Sequence, residues 1–248
     1  MMFEAQIDDL TILKDSMSAI SELIDETDLI IRKDGIKMVA SDRAVIAVVD
    51  FFLSRNAFSK YEYNNDLRIG INLANFLRIL KRAMPNDIMK IRIKDNKFEI
   101  KLSGDSQRSF MLPIIDVSKE DIPPIDKLDF HSSFEINNEI LSNGIEDADL
   151  ITDSLVFNVN QEGISLKAES DSSSAELELV PGNSLKSLTI KQPTRARYSL
   201  DYLKKIIKAK RLSESAVIHM STDYPLKIMF SVPEKIQLNF ILAPRVEE

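Results

Sequence analysis

Apolar residues recur along this 248-residue chain at two spacings. Leu10, Leu13, Met17, Ile20 and Ile24 fall three and four apart, which predicts an amphipathic helix over about Asp9 to Asp25. Leu73, Phe76, Leu77 and Leu80 predict a second helix over Leu73 to Met84, stopped by Pro85. Ile140, Leu141, Ile145 and Ala148 give a weaker third stripe between Asn137 and Asp149, and Leu200, Leu203, Ile206 and Ile207 a fourth over Leu200 to Arg211. Almost everything else alternates at period two, as in Ile91-Arg-Ile93, Phe98-Glu-Ile100-Lys-Leu102 and Leu177-Glu-Leu179, the pattern of half-buried antiparallel strands. The fold class is α+β, and each helix should lay its stripe on a sheet and turn its other face away.

The pattern repeats. Gly35 sits between two alternating runs in IIRKDGIKMVASDRAVIAVV, and Gly163 does the same in VFNVNQEGISLKAESDSSSAELEL, a shift of 128. RIGINLANFLRILKRA from Arg68 to Ala83 overlays RARYSLDYLKKIIKAK from Arg195 to Lys210 at a shift of 127. Each half closes on an aromatic-led strand near a proline, SFMLP at Ser109 to Pro113 and NFILAP at Asn239 to Pro244. The chain is a diverged duplication with two helices per half. The acidic, Pro-containing stretch DVSKEDIPPIDKLDF separates the halves, since its prolines exclude a helix interior and a central strand. The expected organisation is a domain over 1–116, a connector over 117–130 and a domain over 131–248.

Composition narrows the chemistry. With no Cys, thiol catalysis, disulfide scaffolds and cysteine zinc sites are out, and a reduced compartment fits. The longest apolar run, Ala44 to Val49, has six residues where a membrane helix needs about 20. No secretory signal is visible at the start. Six glycines leave no G-x-x-x-x-G-K-[ST] or G-x-G-x-x-G loop, so no intrinsic ATPase is expected. His131 and His219 are too few and too scattered for a triad or a metal centre, so the chain is read as non-catalytic, with no cofactor and no metal.

Charge is sorted by helix. The net charge is −7, so an average surface repels nucleic acid and any DNA contact must be local. Yet the second helix carries Arg78, Lys81 and Arg82 without an acid, and the fourth carries Lys204, Lys205, Lys208, Lys210 and Arg211 against Asp201 alone. Lys204, Lys208 and Arg211 are spaced i, i+4 and i+7, one cationic stripe on an α-helix, able to follow a phosphate backbone. No aromatics interleave with them, which argues against stacking on single-stranded bases. One basic helix alone is more simply a solvated face; the same sign at equivalent places in both halves favours nucleic acid. The third helix is acidic, with Glu139, Glu146, Asp147 and Asp149. These acids are either solvated or meet Arg82 and Arg108 of another copy.

Phe3-Glu4-Ala5, the Asp34-Gly35-Ile36 turn, Leu73 to Lys81, Ile115-Asp116-Val117 with Ile122-Pro123, and the ending Leu242-Ala243-Pro244-Arg245-Val246-Glu247-Glu248 together resemble the proliferating cell nuclear antigen family of DNA sliding clamps, nearest its archaeal branch. The resemblance runs through the whole chain in order. It implies the DNA clamp fold: two like domains of antiparallel sheets with two helices each, three subunits forming a six-domain ring, and helices lining a hole that holds duplex DNA. It places Lys14, Arg78, Lys81 and Lys208 toward the DNA; Lys204, Lys205, Lys210 and Arg211 are added from helix phase and charge. Contacts of Lys and Arg with phosphates recognise no sequence, so a closed ring slides without escaping.

The resemblance further implies that Arg108 to Leu112 pairs with Ala175 to Leu179 of the next subunit, burying Phe110, Leu177 and Leu179, with Arg82 and Arg108 meeting Glu139 and Asp147. Partners insert a PIP-type peptide, with a glutamine and an apolar-aromatic anchor, against Ser41, Val45, Ile46, Ile122, Pro123, Pro225, Ile241, Leu242, Ala243 and Pro244. Ser41 and Glu120 depart from the family pattern, as do Ser142, Asn143 and Glu146 where relatives are basic. The implied partners are duplex DNA, DNA polymerase, a separate ATP-driven clamp loader, flap endonuclease and DNA ligase, with no membrane. The implied setting is the cytoplasm in association with the chromosome, or the nucleus of a eukaryote. A homotrimer is expected, with one subunit of a heterotrimer and a monomeric β-rich protein-binding adaptor as alternatives.

Overall fold

The computed structural model describes residues 3–94, 96–118, 122–182 and 184–246. Glu120, Glu247 and Glu248 lie outside them. In the first half the elements are β1 (Phe3–Ile7), α1 (Thr11–Ile20), β2 (Glu26–Arg32), β3 (Gly35–Ser41), β4 (Ala47–Ser54), β5 (Lys60–Glu62), β6 (Leu67–Asn72), α2 (Leu73–Leu80), β7 (Ile88–Lys94), β8 (Lys97–Ser103) and β9 (Gln107–Pro113). In the second they are β10 (Ser132–Asn137), α3 (Asn138–Asp149), β11 (Ser154–Asn160), β12 (Gly163–Glu169), β13 (Ser174–Leu179), β14 (Leu185–Ile190), β15 (Thr194–Ser199), α4 (Leu200–Ile206), β16 (Ser215–Met220), β17 (Leu226–Val232) and β18 (Ile236–Leu242).

The duplication holds strand for strand. β1 pairs antiparallel with β5 and β7, and β10 with β14 and β16. β2 pairs with β3 and β6, and β11 with β12 and β15. Gly35 and Gly163 have φ of 151° and 155°, and a Cβ there would lie 2.2 Å from the Leu53 carbonyl oxygen and 2.1 Å from that of Leu179. Both conditions select glycine. They also make Leu53 of β4 and Leu179 of β13 equivalent positions.

Contacts divide the chain into one unit of 1–41, 49–121 and 231–238 and another of 42–48, 122–230 and 239–248. This differs from the sequence expectation in that two short segments, 42–48 and 231–238, are grouped with the half remote in sequence. In the first unit Leu13, Met17 and Ile20 of α1 and Leu73, Phe76, Leu77 and Leu80 of α2 are buried. In the second, Leu141, Ile145 and Ala148 of α3 and Leu200, Leu203 and Ile206 of α4 are buried. Each such Leu or Ile contributes about 1.5–3 kcal/mol relative to exposure.

Helices α1 and α2 are shorter than the spans expected for them. Beyond Ile20 the chain turns through Leu23 N–H and Ile24 N–H donating to Ile20 O at 3.0 Å, so Ile24 is buried outside α1. Beyond Leu80, Arg82 and Ala83 donate to Ile79 O and Leu80 O, i to i−3, tightening the approach to Pro85.

Candidate nucleic-acid and partner-binding site

The outward faces of the helices carry the expected cations. Arg78, Lys81 and Arg82 are exposed around and beyond the C-terminus of α2, where cations also suit the helix dipole. Lys14 on α1 is half-buried. The single stripe expected on the fourth helix is corrected: α-helix ends at Ile206, and Ile207–Leu212 is a 3-10 helix. With three residues per turn, Lys208 and Arg211 stack on one exposed edge, whereas the i+7 alignment of Lys204 with Arg211 is broken.

The acids of α3 are not all solvated. Asn137 caps the helix by accepting from Glu139 N–H and Ile140 N–H. Lys204 Nζ lies 2.8 Å from Asp149 and 3.6 Å from Asp201, and Lys210 Nζ lies 2.9 Å from Glu139 and 3.2 Å from Ser142 Oγ. Asp149 holds the Lys204 ammonium above its ordinary pKa. Glu146 accepts from Ser142, and Asp147 is exposed. Lys205 turns back over the Tyr202 ring, 5.4 Å from its centroid. Two of the added cations, Lys204 and Lys210, thus have carboxylate partners within their own unit.

The strands proposed for subunit contact are both sheet edges. β9 ends the order β5-β1-β7-β8-β9, and β13 ends β13-β12-β11-β15. Phe110 and Leu177 are half-buried and Leu179 is 9 % exposed. Arg108 is engaged inside its own unit: it donates to Arg82 O at 2.8 Å and forms an ion pair with Asp87, itself 3 % exposed. Its expected pairing with Glu139 or Asp147 of another copy therefore competes with a partner in hand, and Glu139 has Lys210.

A cleft of about 230 Å³ lies within the second unit. Val45, Ile46, Pro123, Pro225, Ile241 and Ala243, which the resemblance assigns to the partner groove, line it together with Val48, Pro124, Ile125, Lys127, Leu128 and Tyr224. Four expected residues do not line it. Leu242 is fully buried, because strand alternation turns it inward between Ile241 and Ala243; Ser41 is 5 % exposed and belongs to the first unit; Ile122 and Pro244 stand half-buried outside the lining. Val45 and Ile46 are exposed at 51 % and 38 %. Val45 holds φ at 55°, a left-handed conformation that costs a β-branched residue about 1–3 kcal/mol.

Asp42 organises that loop. Its carboxylate accepts from Ala44 N–H at 3.2 Å, Ile46 N–H at 2.8 Å and Ala47 N–H at 2.7 Å, and from the Tyr202 hydroxyl at 2.8 Å. Burial pushes its carboxyl up, but these donors outweigh burial and hold it below its ordinary pKa. Tyr202 is pushed up to about 12, first by burial and then by Asp42.

Residues 2–118 match the family model of the proliferating cell nuclear antigen N-terminal domain, and residues 124–245 match that of the C-terminal domain. The chain belongs to the proliferating cell nuclear antigen family. It is 31% identical over 247 residues, 99% of either chain, to a DNA polymerase sliding clamp of Methanothermobacter thermautotrophicus. It is 33% identical over 250 residues, all of both chains, to one of Thermococcus gammatolerans. A crystal structure of PCNA from Thermococcus kodakaraensis matches with a TM-score of 0.91 at 27% identity, covering 98% of this chain and 100% of that one. Proliferating cell nuclear antigen is a non-catalytic sliding clamp, so the fold class and the absence of an active site expected from the sequence agree with the family. Among the described residues no helix is long and apolar enough to cross a membrane.

Proposed function

We propose that three copies of this chain close into a ring around duplex DNA, hold it through Arg78, Lys81, Lys208 and Arg211, and tether replication enzymes by peptides seated in the Val45–Ile125–Ile241 cleft. One observation carries the ring. Ser54 N–H donates to Lys235 O within the first unit and Ala243 N–H donates to Ile46 O within the second, so β4 and β18 run antiparallel, side by side. Their duplicates, β13 and β9, are edges with unpaired backbone groups. Repeating the pairing between copies satisfies both edges and closes when the rotation closes.

The same symmetry sets a register. Within the first unit Ser54 stands opposite Lys235. Carried across by the equivalence of Leu53 with Leu179 and of Phe110 with Phe240, this sets Ser109 of one copy opposite Glu176 of the next. The acids of β13, Glu176 and Glu178, are exposed, and β9 has no acid.

Because the chain has no cysteine, Ser109→Cys with Glu176→Cys supplies the only thiols. Opposed strand positions satisfy disulfide geometry. Oxidation of the double variant should give a covalent trimer on a denaturing gel, and either single variant should stay a single chain. A double variant that remains a single chain counts against this pairing. DNA polymerase, clamp loader, flap endonuclease and DNA ligase are the partner class this reading assigns to the cleft, in a chromosome-associated setting.

The heterotrimer reading draws on the acidic α3, but the in-unit pairs of Glu139 and Asp149 explain those acids without a second kind of subunit.

A further inference from the structure

Helix α4 reaches the cleft loop through the side chain of Tyr202. Tyr202 is half-buried, and its hydroxyl donates to Asp42 Oδ2 at 2.8 Å. The other oxygen of Asp42, itself 9 % exposed, accepts from Ile46 N–H at 2.8 Å and Ala47 N–H at 2.7 Å. Between these anchors the backbone of Val45 stays at φ 55°. A β-branched residue relaxes out of that region unless its surroundings hold it there. Oδ2 also accepts from Ala44 N–H, but at 3.2 Å, so the Tyr202 hydroxyl at 2.8 Å is its shorter bond; without it Oδ2 keeps only the long contact, and the carboxylate holds the amides bound to Oδ1 less firmly.

We propose that Tyr202 is a positioning residue for the cleft: its hydroxyl fixes the Asp42 carboxylate, which holds Val45 and Ile46 as the wall on which a partner peptide's apolar side chains pack. The inference rests on the reading of the cleft as the partner site. It gives α4 a second task beside its outward cations, since the same helix that leads into Lys208 sets the shape of the peptide site.

The test uses the full chain and a synthetic peptide bearing a glutamine and an apolar-aromatic anchor, titrated by calorimetry, with amide hydrogen exchange on the same samples. Tyr202→Phe should weaken the peptide about five- to tenfold, less than the full worth of one hydrogen bond to a charged group, because the bond acts on the peptide only through the loop. It should also speed exchange at Ile46 and Ala47 while leaving exchange in β11 and β12 unchanged, which a general loss of structure would not do. Asp42→Asn, which keeps an acceptor for Tyr202, should bind the peptide better than Asp42→Ala. Ile125→Asp is the control for the cleft and should abolish binding. If Ile125→Asp binds as wild type does, the cleft reading falls and the inference with it. If Ile125→Asp loses the peptide and Tyr202→Phe does not, the positioning role alone is overturned. It is also overturned if Tyr202→Phe binds more weakly with Ile46 and Ala47 exchange unchanged, or if Asp42→Asn is no better than Asp42→Ala.

Discussion

Lys204 Nζ lies 2.8 Å from Asp149 Oδ1, so a cation that helix phase alone offers to phosphate already has a carboxylate beside it. Lys208 and Arg211 sit on the exposed edge of the 3-10 turn that follows. Lys208 and Arg211 are exposed where Lys204 is half-buried, so DNA binding should depend more on this edge than on Lys204. Measured as the logarithm of affinity against the logarithm of salt, Lys208→Ala with Arg211→Ala should flatten the slope by about 0.9 for each phosphate no longer neutralised. Lys204→Ala should flatten it by less than half of that; equal effects would contradict the assignment.

Val45 offers a separation of fold from function. Asparagine tolerates positive φ better than valine, so Val45→Asn relieves backbone strain while removing an apolar wall of the cleft. The thermal midpoint should hold or rise, and affinity for an anchor peptide should fall about tenfold, since withdrawing one apolar side chain from the peptide's packing costs roughly 1.4 kcal/mol. Calorimetry and thermal unfolding of one preparation give both.

Arg108 should behave as a folding residue before it behaves as an interface residue. Its guanidinium is paired with Asp87, whose side chain is 2 % exposed, and Asp87 also accepts from Met84 N–H at 2.7 Å. Arg108→Ala leaves a buried carboxylate without its cation. With Arg108 itself partly exposed, a loss of about 2 kcal/mol in denaturant unfolding is expected, below the full cost of breaking a buried pair. Arg82→Ala, an exposed residue, should leave stability within about 0.5 kcal/mol.

His219 sets an acid-side dependence. Burial, and then Lys227 on the paired strand, hold its imidazole below the ordinary 6.5. The unfolded chain thus binds the proton first as pH falls. The stability His219 supports is complete above pH 6.5, declines as pH drops through 6.5 toward the lowered folded value, and levels off beneath it. Denaturant unfolding at several pH values should show this slope in wild type and a shallower one in His219→Gln; identical slopes would remove His219 from the account.

The repeat and the helix stripes were legible because periodicity follows burial: Gly35 and Gly163 are demanded by the same carbonyl contact, and every stripe residue of α2 is buried. The change from α to 3-10 helix after Ile206 had no sequence mark, since Ile206 and Ile207 suit either form. Leu242, which the resemblance assigns to the groove, is buried, because strand alternation sends neighbouring side chains to opposite sides. Ile125 and Leu128 of the connector were within reach as apolar residues beside two prolines. The Asp42–Tyr202 bond was not, because it joins positions 160 residues apart.

Topological retention tests the central claim most directly. The clamp, loaded on a nicked circular plasmid by an ATP-driven clamp loader, is passed through gel filtration before and after the plasmid is cut once. Retention on the circle and loss from the linear form at the same salt is the expected result. Equal retention on both would show binding by grip and not by enclosure, and would contradict the account.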